Sequence, residues 1–171
     1  ATIASNFKFQ CAGPKLMSRH LCIIPARGGS KRIPRKNIRS FHGKPIIAWS
    51  ISAAIASDCF ESVLVSTDDH EIAGIARSLG AVVPFIRPSS LSDDYASTKS
   101  VILHALEWFA NASHSFDSIC CLYATAPFVM PDDIISAYQM LDAAYPERLV
   151  FSATTYAYPI QRALTISEDG I

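Results

Sequence analysis

No acidic residue occurs before Asp58: the first 57 positions hold ten Lys or Arg and no Asp or Glu, whereas the remainder holds five basic and fifteen acidic side chains. The formal net charge is zero, which argues against the uniformly basic face of a nucleic-acid binder and for one focused anion site. No apolar run reaches the ~18 residues of a membrane span, and positions 1–16 lack the long apolar core of a secretion signal. The five cysteines show no Cys-x-x-Cys spacing and are odd in number. Cys22, Cys120 and Cys121 stand in apolar runs and read as buried free thiols, which points to a reducing cytoplasm. Two phosphate-binding motifs are also missing. Without Gly-x-x-x-x-Gly-Lys-Ser/Thr the chain is not a P-loop ATPase, and without Gly-x-Gly-x-x-Gly it has no dinucleotide fingerprint. There is no internal repeat and no low-complexity tract.

What is present is a chain of 171 residues, half of them apolar and 18% charged, which marks it as globular rather than disordered. That length suits one domain able to bury about two-thirds of its unfolded surface. Its most informative stretch runs from Ile23 to Asn37. Apolar Leu21 to Ile24 reads as a short buried strand closed by Pro25. Gly28 and Gly29 follow, then Ser30, with Arg27, Lys31, Arg32, Arg35 and Lys36 around them and Asn37 at the end. Glycines lack a Cβ, so the backbone can turn sharply and bring amide donors close to a bound group. A strand entering a glycine turn that carries cations is suited to phosphate: amides form a concave nest and Lys or Arg neutralises the charge. A basic loop by itself is equally a solvated surface; the glycine pair directly after a strand favours the phosphate reading.

The rest of the chain alternates. Pro45 to Ser57 reads as a helix with proline in its first turn and a wide apolar stripe. Val63 to Val65 is a strand, after which Asp68 and Glu71 are spaced like a capping box. The pair Asp68-Asp69 invites a metal reading, but capping and a favourable helix-dipole interaction explain it better. Ala81 to Ile86 reads as a strand interrupted by Pro84, hence at an edge. Ala96 to Asn111 reads as an amphipathic helix on which His104 is structural. Ser118 to Tyr123, continuously apolar, reads as a strand buried on both faces. A turn, a helix from Pro131 and a strand over Leu149 to Thr154 follow. The expected fold is α/β: an open, mostly parallel sheet with helices on both faces. In such sheets ligands sit beyond the carboxyl ends of the strands, so the basic loop, the Arg87 loop and the turn at Tyr123 to Phe128 should meet at one crevice. Residues 1–16 read as a loose tail and 17–171 as one nucleotide-binding domain.

The run Ile24-Pro25-Ala26-Arg27-Gly28-Gly29-Ser30-Lys31, continued by Pro34, Lys36, Asn37 and Gly43-Lys44-Pro45, resembles the nucleotide-binding signature of the cytidylyltransferases that activate nine-carbon acidic sugars. These are the CMP-N-acetylneuraminate synthetases and their pseudaminic acid counterparts. The resemblance implies a Rossmann-like nucleotidyltransferase fold, CTP and an acidic nine-carbon sugar as partners, no nucleic acid and no membrane, a cytoplasmic location and, where the family's C-terminal part is present, a homodimer. It places Ala26, Arg27, Gly28, Gly29, Ser30, Lys31, Lys36 and Asn37 on triphosphate- and ribose-contacting positions, with Arg27 and Lys36 in catalytic roles. It puts Arg87 against the cytosine base, where a guanidinium can donate to the carbonyl oxygen, unless it pairs with Asp93 or Asp94 in its own loop. Ala96, Ser97 and Thr98 fall on the neighbouring base and ribose wall.

The neuraminate enzymes carry Leu-Gln-Pro-Thr-Ser-Pro after the strand that here ends in Leu122-Tyr123-Ala124-Thr125-Ala126-Pro127-Phe128. This version, with Ser92-Asp93-Asp94 and Tyr158-Pro159-Ile160-Gln161-Arg162, is more similar to the pseudaminic acid enzymes, and Tyr123 takes the place of the base-reading glutamine. Gln161 and Arg162 are then candidates for the sugar carboxylate, in a segment, 155–171, that begins a sugar-binding and dimerisation region. By the same resemblance Mg2+ is the cofactor, with its aspartate ligands beyond residue 171, so the chain reads as C-terminally truncated or as a short form. A CTP-binding fragment without turnover is the alternative from a different class.

Overall fold

The computed structural model describes residues 19–143 and 149–155. The expected tail, 1–16, and the segment 156–171 with Gln161 and Arg162 lie outside them.

At the centre lies β1 (His20–Pro25), whose Leu21, Cys22, Ile23 and Ile24 are fully buried. It pairs in parallel on one side with β4 (Ser62–Ser66), in register from Leu21 opposite Ser62 to Pro25 opposite Ser66. On the other side it pairs in parallel with β5 (Ser118–Cys121), giving the order β4-β1-β5. Side chains alternate across a strand, and the two faces are covered accordingly. Cys22, Ile24, Val63 and Val65 join residues of α1 (Ile46–Ala56), α2 (His70–Ser78) and α4 (Pro131–Ala143) in one cluster. Leu21, Ile23 and Leu64 pack instead with Ala105 and Phe109 of α3 (Thr98–Asn111). The parallel α/β sheet with helices on both faces is therefore as the alternation of apolar runs implied.

Between β1 and α1 the chain forms a two-residue hairpin, β2 (Ser40–Phe41) and β3 (Lys44–Pro45). Its corner needs positive φ at His42 and Gly43, 47° and 83°, the signature of a tight primed turn. Trp49 donates its indole N–H to the Phe41 carbonyl at 3.0 Å and carries Lys44 over its ring, which locks the hairpin to α1.

Several local expectations are corrected. Pro45 is the cap residue preceding α1 and the last residue of β3, not a first-turn residue. The strand expected over 81–86 reduces to one parallel bridge, Val82 with Leu64, because Pro84 has no N–H to extend the ladder. β5 is not buried on both faces: among the described residues it borders β1 alone, Ile119 is 37% exposed and Cys121 is exposed, so that thiol is not a buried one. Leu149 to Thr154 forms no strand; no described strand pairs with it, and Leu149 and Phe151 stand exposed. No described helix is long and apolar enough to cross a membrane.

Candidate functional site

The loop leaving β1 is held against β4 and the start of α2. Ala26 is buried and its N–H bonds the Ser66 carbonyl at 2.9 Å. Asp69 is the N-cap of α2, its carboxylate accepting from the amides of Glu71 and Ile72 at 2.9 and 3.0 Å. That position is one residue later than the capping-box spacing indicated, and it leaves Asp68 free for another task. Asp68 Oδ1 accepts from the Gly28 amide at 2.9 Å. A Cβ at Gly28 would lie 2.6 Å from Asp69 Oδ2, so glycine is required there by the close approach of the helix cap. Gly29 meets no such limit. The nest expected at Gly28-Gly29 is thus corrected in one respect: the Gly28 amide is already committed to a carboxylate.

The loop's second half is pinned by Arg35, which adopts left-handed backbone (φ 55°) and pairs with Asp69 and Glu71. The Arg35 hydrogen bond is the main cause holding the Asp69 carboxyl at about 2, aided by the two cap amides and opposed by burial. Arg35 in turn presents the short 3-10 helix Lys36–Ile38. Asn37 is buried and its amide donates to the Arg27 carbonyl at 2.8 Å, so its role here is to close the loop on itself.

The three loops do meet. A crevice of about 260 Å³ opens at the carboxyl end of the sheet. Arg27, Ser30, Lys36 and Asn37 form one wall; Arg87, Leu91, Ala96 and Thr98 form another; Tyr123, Ala124 and Thr125 close it. The Lys36 side chain is exposed and makes no hydrogen bond or ion pair among the described residues. Tyr123 is half-exposed, with its hydroxyl 3.2 Å from that of Thr98. Its carbonyl accepts from the buried Ser50 hydroxyl at 2.9 Å, which anchors the turn to α1.

Arg87 is the buried cation of the site, 4% exposed. It does not pair with the acids of its own loop. Its Nη2 lies 3.8 Å from Asp68 Oδ1, its Nε donates to Ser92 Oγ at 3.2 Å, and its main-chain N–H bonds the Thr67 carbonyl at 2.8 Å. Burial pulls its proton affinity below the ordinary value; the Asp68 charge counteracts this and nearby Arg27 adds to it. Asp94 instead lies between Arg27 and Lys31, at 2.8 and 2.5 Å, and Arg27 also donates to the Asp93 carbonyl at 2.8 Å. Those two cations, Lys31 foremost, hold the Asp94 carboxyl below the usual carboxylate range.

Of the residues expected to bind nucleotide, the crevice gathers Arg27, Ser30, Lys36, Asn37, Arg87, Ala96, Thr98 and Tyr123. Ala26, Gly28, Gly29, Lys31 and Ser97 are not part of its lining: Ala26 is core, Lys31 is exposed on Asp94, and Ser97 caps α3 through the Ser100 amide. Sequence reasoning missed Asp68 and Asp94. For Asp68 the signal was present, since two acids stand at a strand end where one cap suffices. Among the described residues no group of three His, Cys, Asp or Glu could hold a metal ion, and the two carboxylates lining the crevice are engaged, Asp94 by Arg27 and Lys31 and Asp93 by the amides of Tyr95 and Ala96, so these residues do not by themselves fit a magnesium site.

A family profile described as cytidylyltransferase matches residues 21–163. A pseudaminic acid cytidylyltransferase of Campylobacter jejuni is 48% identical over 152 residues, 89% of this chain and 65% of that protein. A CMP-N,N'-diacetyllegionaminic acid synthase of Legionella pneumophila is 42% identical over 122 residues, 71% of this chain and 53% of its own length. Among solved structures, CMP:2-keto-3-deoxy-manno-octonic acid synthetase complexed with CTP aligns with a TM-score of 0.58 at 22% identity, covering 73% of this chain and 48% of that one; this is a likeness of fold. The chain therefore spans 65% or less of the length of these curated relatives.

Proposed function

The chain belongs to the cytidylyltransferase family, and from that premise we propose that it forms the nucleotide-binding part of an enzyme joining CMP from CTP to a nine-carbon acidic sugar, with release of pyrophosphate. Pseudaminic acid is the preferred sugar. The observation that carries the reading is the convergence of Arg27, Lys36 and Arg87, from two separate loops, on one crevice whose third side is Tyr123.

In this reading the sugar's anomeric hydroxyl attacks the α-phosphorus, a new P–O bond forms, and the bond to the bridging oxygen of pyrophosphate breaks. Charge builds on the phosphate oxygens and the leaving group, and fixed cations stabilise it where it develops. Arg27 and Lys36 are the cations on the loop wall; Lys36, whose side chain has no partner among the described residues, is the one free to meet the α-phosphate. Arg87, held away from water, offers forked guanidinium donors to the cytosine carbonyl oxygen and to ring N3, an acceptor in cytosine that uracil replaces with an N–H donor, and Tyr123 offers a ring face or hydroxyl to the base. Magnesium belongs to the proposal as the family's triphosphate partner, with ligands outside the described residues; bound, it would supply positive charge to the triphosphate. Gln161 and Arg162 are kept as proposed sugar contacts, and a homodimer and a cytoplasmic location as part of the same proposal.

The choice of pseudaminic acid is supported by the 48% identity with the Campylobacter protein and by Tyr123 standing where the neuraminate pattern has glutamine. The test is pyrophosphate release from CTP and magnesium with pseudaminic acid, against N-acetylneuraminic acid in parallel. Release with the first and little with the second is expected; the reverse favours the neuraminate reading. The lack of a metal-holding carboxylate group among the described residues favours a second reading, a CTP-binding unit without turnover: calorimetry would then show tight CTP binding while neither sugar yields pyrophosphate.

A further inference from the structure

Asp68 belongs neither to the cations nor to the walls of the crevice, yet it joins two of them. Its neighbour Asp69 supplies the cap of α2, so the helix has no need of a second acid. Its Oδ1 lies 2.9 Å from the Gly28 amide and 3.8 Å from Arg87 Nη2. The first is a hydrogen bond; the second is too long for one and acts through charge. The Arg87 side chain is 3% exposed, and a buried guanidinium left without a counter-charge is strongly unfavourable. The acids of its own loop do not serve, since Asp94 is engaged by Arg27 and Lys31 and Asp93 turns its carboxylate to the amides of Tyr95 and Ala96. Among the described residues Asp68 is the one carboxylate within ion-pair reach of Arg87.

We propose that Asp68 is a positioning residue that sets base selection: it keeps Arg87 directed at the base side of the crevice while fixing the glycine turn on the phosphate side, without itself touching nucleotide. This rests on the crevice being the CTP site. The two contacts can be separated chemically. Asp68→Asn keeps an oxygen acceptor for the Gly28 amide and removes only the charge that faces Arg87; Asp68→Ala removes both.

The experiment is calorimetric titration of the 171-residue chain and these variants with CTP, UTP and inorganic tripolyphosphate in magnesium, with thermal unfolding of each. For Asp68→Asn, CTP affinity and the preference for CTP over UTP are expected to fall about tenfold, on the scale of one interaction with a charged group, while tripolyphosphate affinity is kept. Asp68→Ala is expected to weaken all three ligands. Arg87→Lys, which retains charge but not the forked donors, probes the pair from its other side: lost CTP preference with kept tripolyphosphate affinity supports the proposal. An unchanged ratio of CTP to tripolyphosphate affinity in Asp68→Asn overturns it, whatever Arg87→Lys does and whether binding is unaltered or falls uniformly with stability. A wild-type chain that binds tripolyphosphate but does not distinguish CTP from UTP overturns the reading of the base wall itself, and the proposal with it.

Discussion

Lys36 and Arg35 are adjacent, and their surroundings assign them opposite duties. Lys36 lines the crevice, exposed and without a partner among the described residues, so nothing in the fold depends on its charge. Lys36→Ala is expected to leave the unfolding temperature within about a degree or two, as for most surface substitutions. It is expected to lower turnover by about a hundredfold or more, the usual loss on deleting one donor to a transition-state oxyanion; kcat measured beside a melting curve decides it. Arg35 instead serves the fold through Asp69. That carboxyl, ordinarily near 3.8 and held at about 2 chiefly by Arg35, binds protons more weakly in the folded protein than in the unfolded chain. Its stabilisation is complete above the ordinary value and drains away as pH falls toward about 2. Asp69→Asn retains a good cap acceptor and loses the charge facing Arg35. The variant should melt lower than wild type at neutral pH, and the two curves should converge between pH 4 and 2. Parallel curves across that range would remove the ion pair as the cause.

The loops behave as units held by a few fixed points, and this explains both what could be read from the chain and what could not. The strand–glycine turn, the helices and the meeting of three loops follow from apolar runs and turn residues, which are local properties. Cap assignment is decided by a single residue of offset: Asp68 and Asp69 are chemically identical, and only packing against Gly28 shows which one faces the helix. Exposure of β5 depends on what lies beside it, so an apolar run such as Ile119 to Leu122 cannot announce an edge. The bridge between the basic and acidic loops, Arg27–Asp94–Lys31, joins segments more than sixty residues apart and had no local signal at all. That bridge places an anion on the cations proposed to receive triphosphate. Asp94→Asn should therefore raise tripolyphosphate affinity several-fold at low ionic strength, the gain shrinking as salt screens these partly exposed charges. Weaker binding in the variant would mean that Asp94 holds Arg27 and Lys31 in place for the ligand instead of competing with it.

Three fixed points of the crevice refer back to the junction of β1 and β4: Ala26 to Ser66, Gly28 to Asp68, and Arg87 to Thr67. The parallel register of these strands thus positions the phosphate wall and the base wall together, while α3, through Phe109, supports the same strands from the face bearing Ile23 and Leu64. Stability and site geometry should consequently respond to different substitutions. Ile23→Ala opens a cavity in a fully buried cluster and should cost about 2–5 kcal/mol. The backbone bonds at the strand ends remain, so CTP affinity of the folded fraction should stay within about twofold of wild type, as for sites that share no partners. Urea unfolding gives the first quantity, and titration under conditions where the variant is still native gives the second. A large stability loss with intact affinity supports the strand junction as the carrier of the site; affinity falling in step with stability would show that packing beneath the sheet also shapes the crevice.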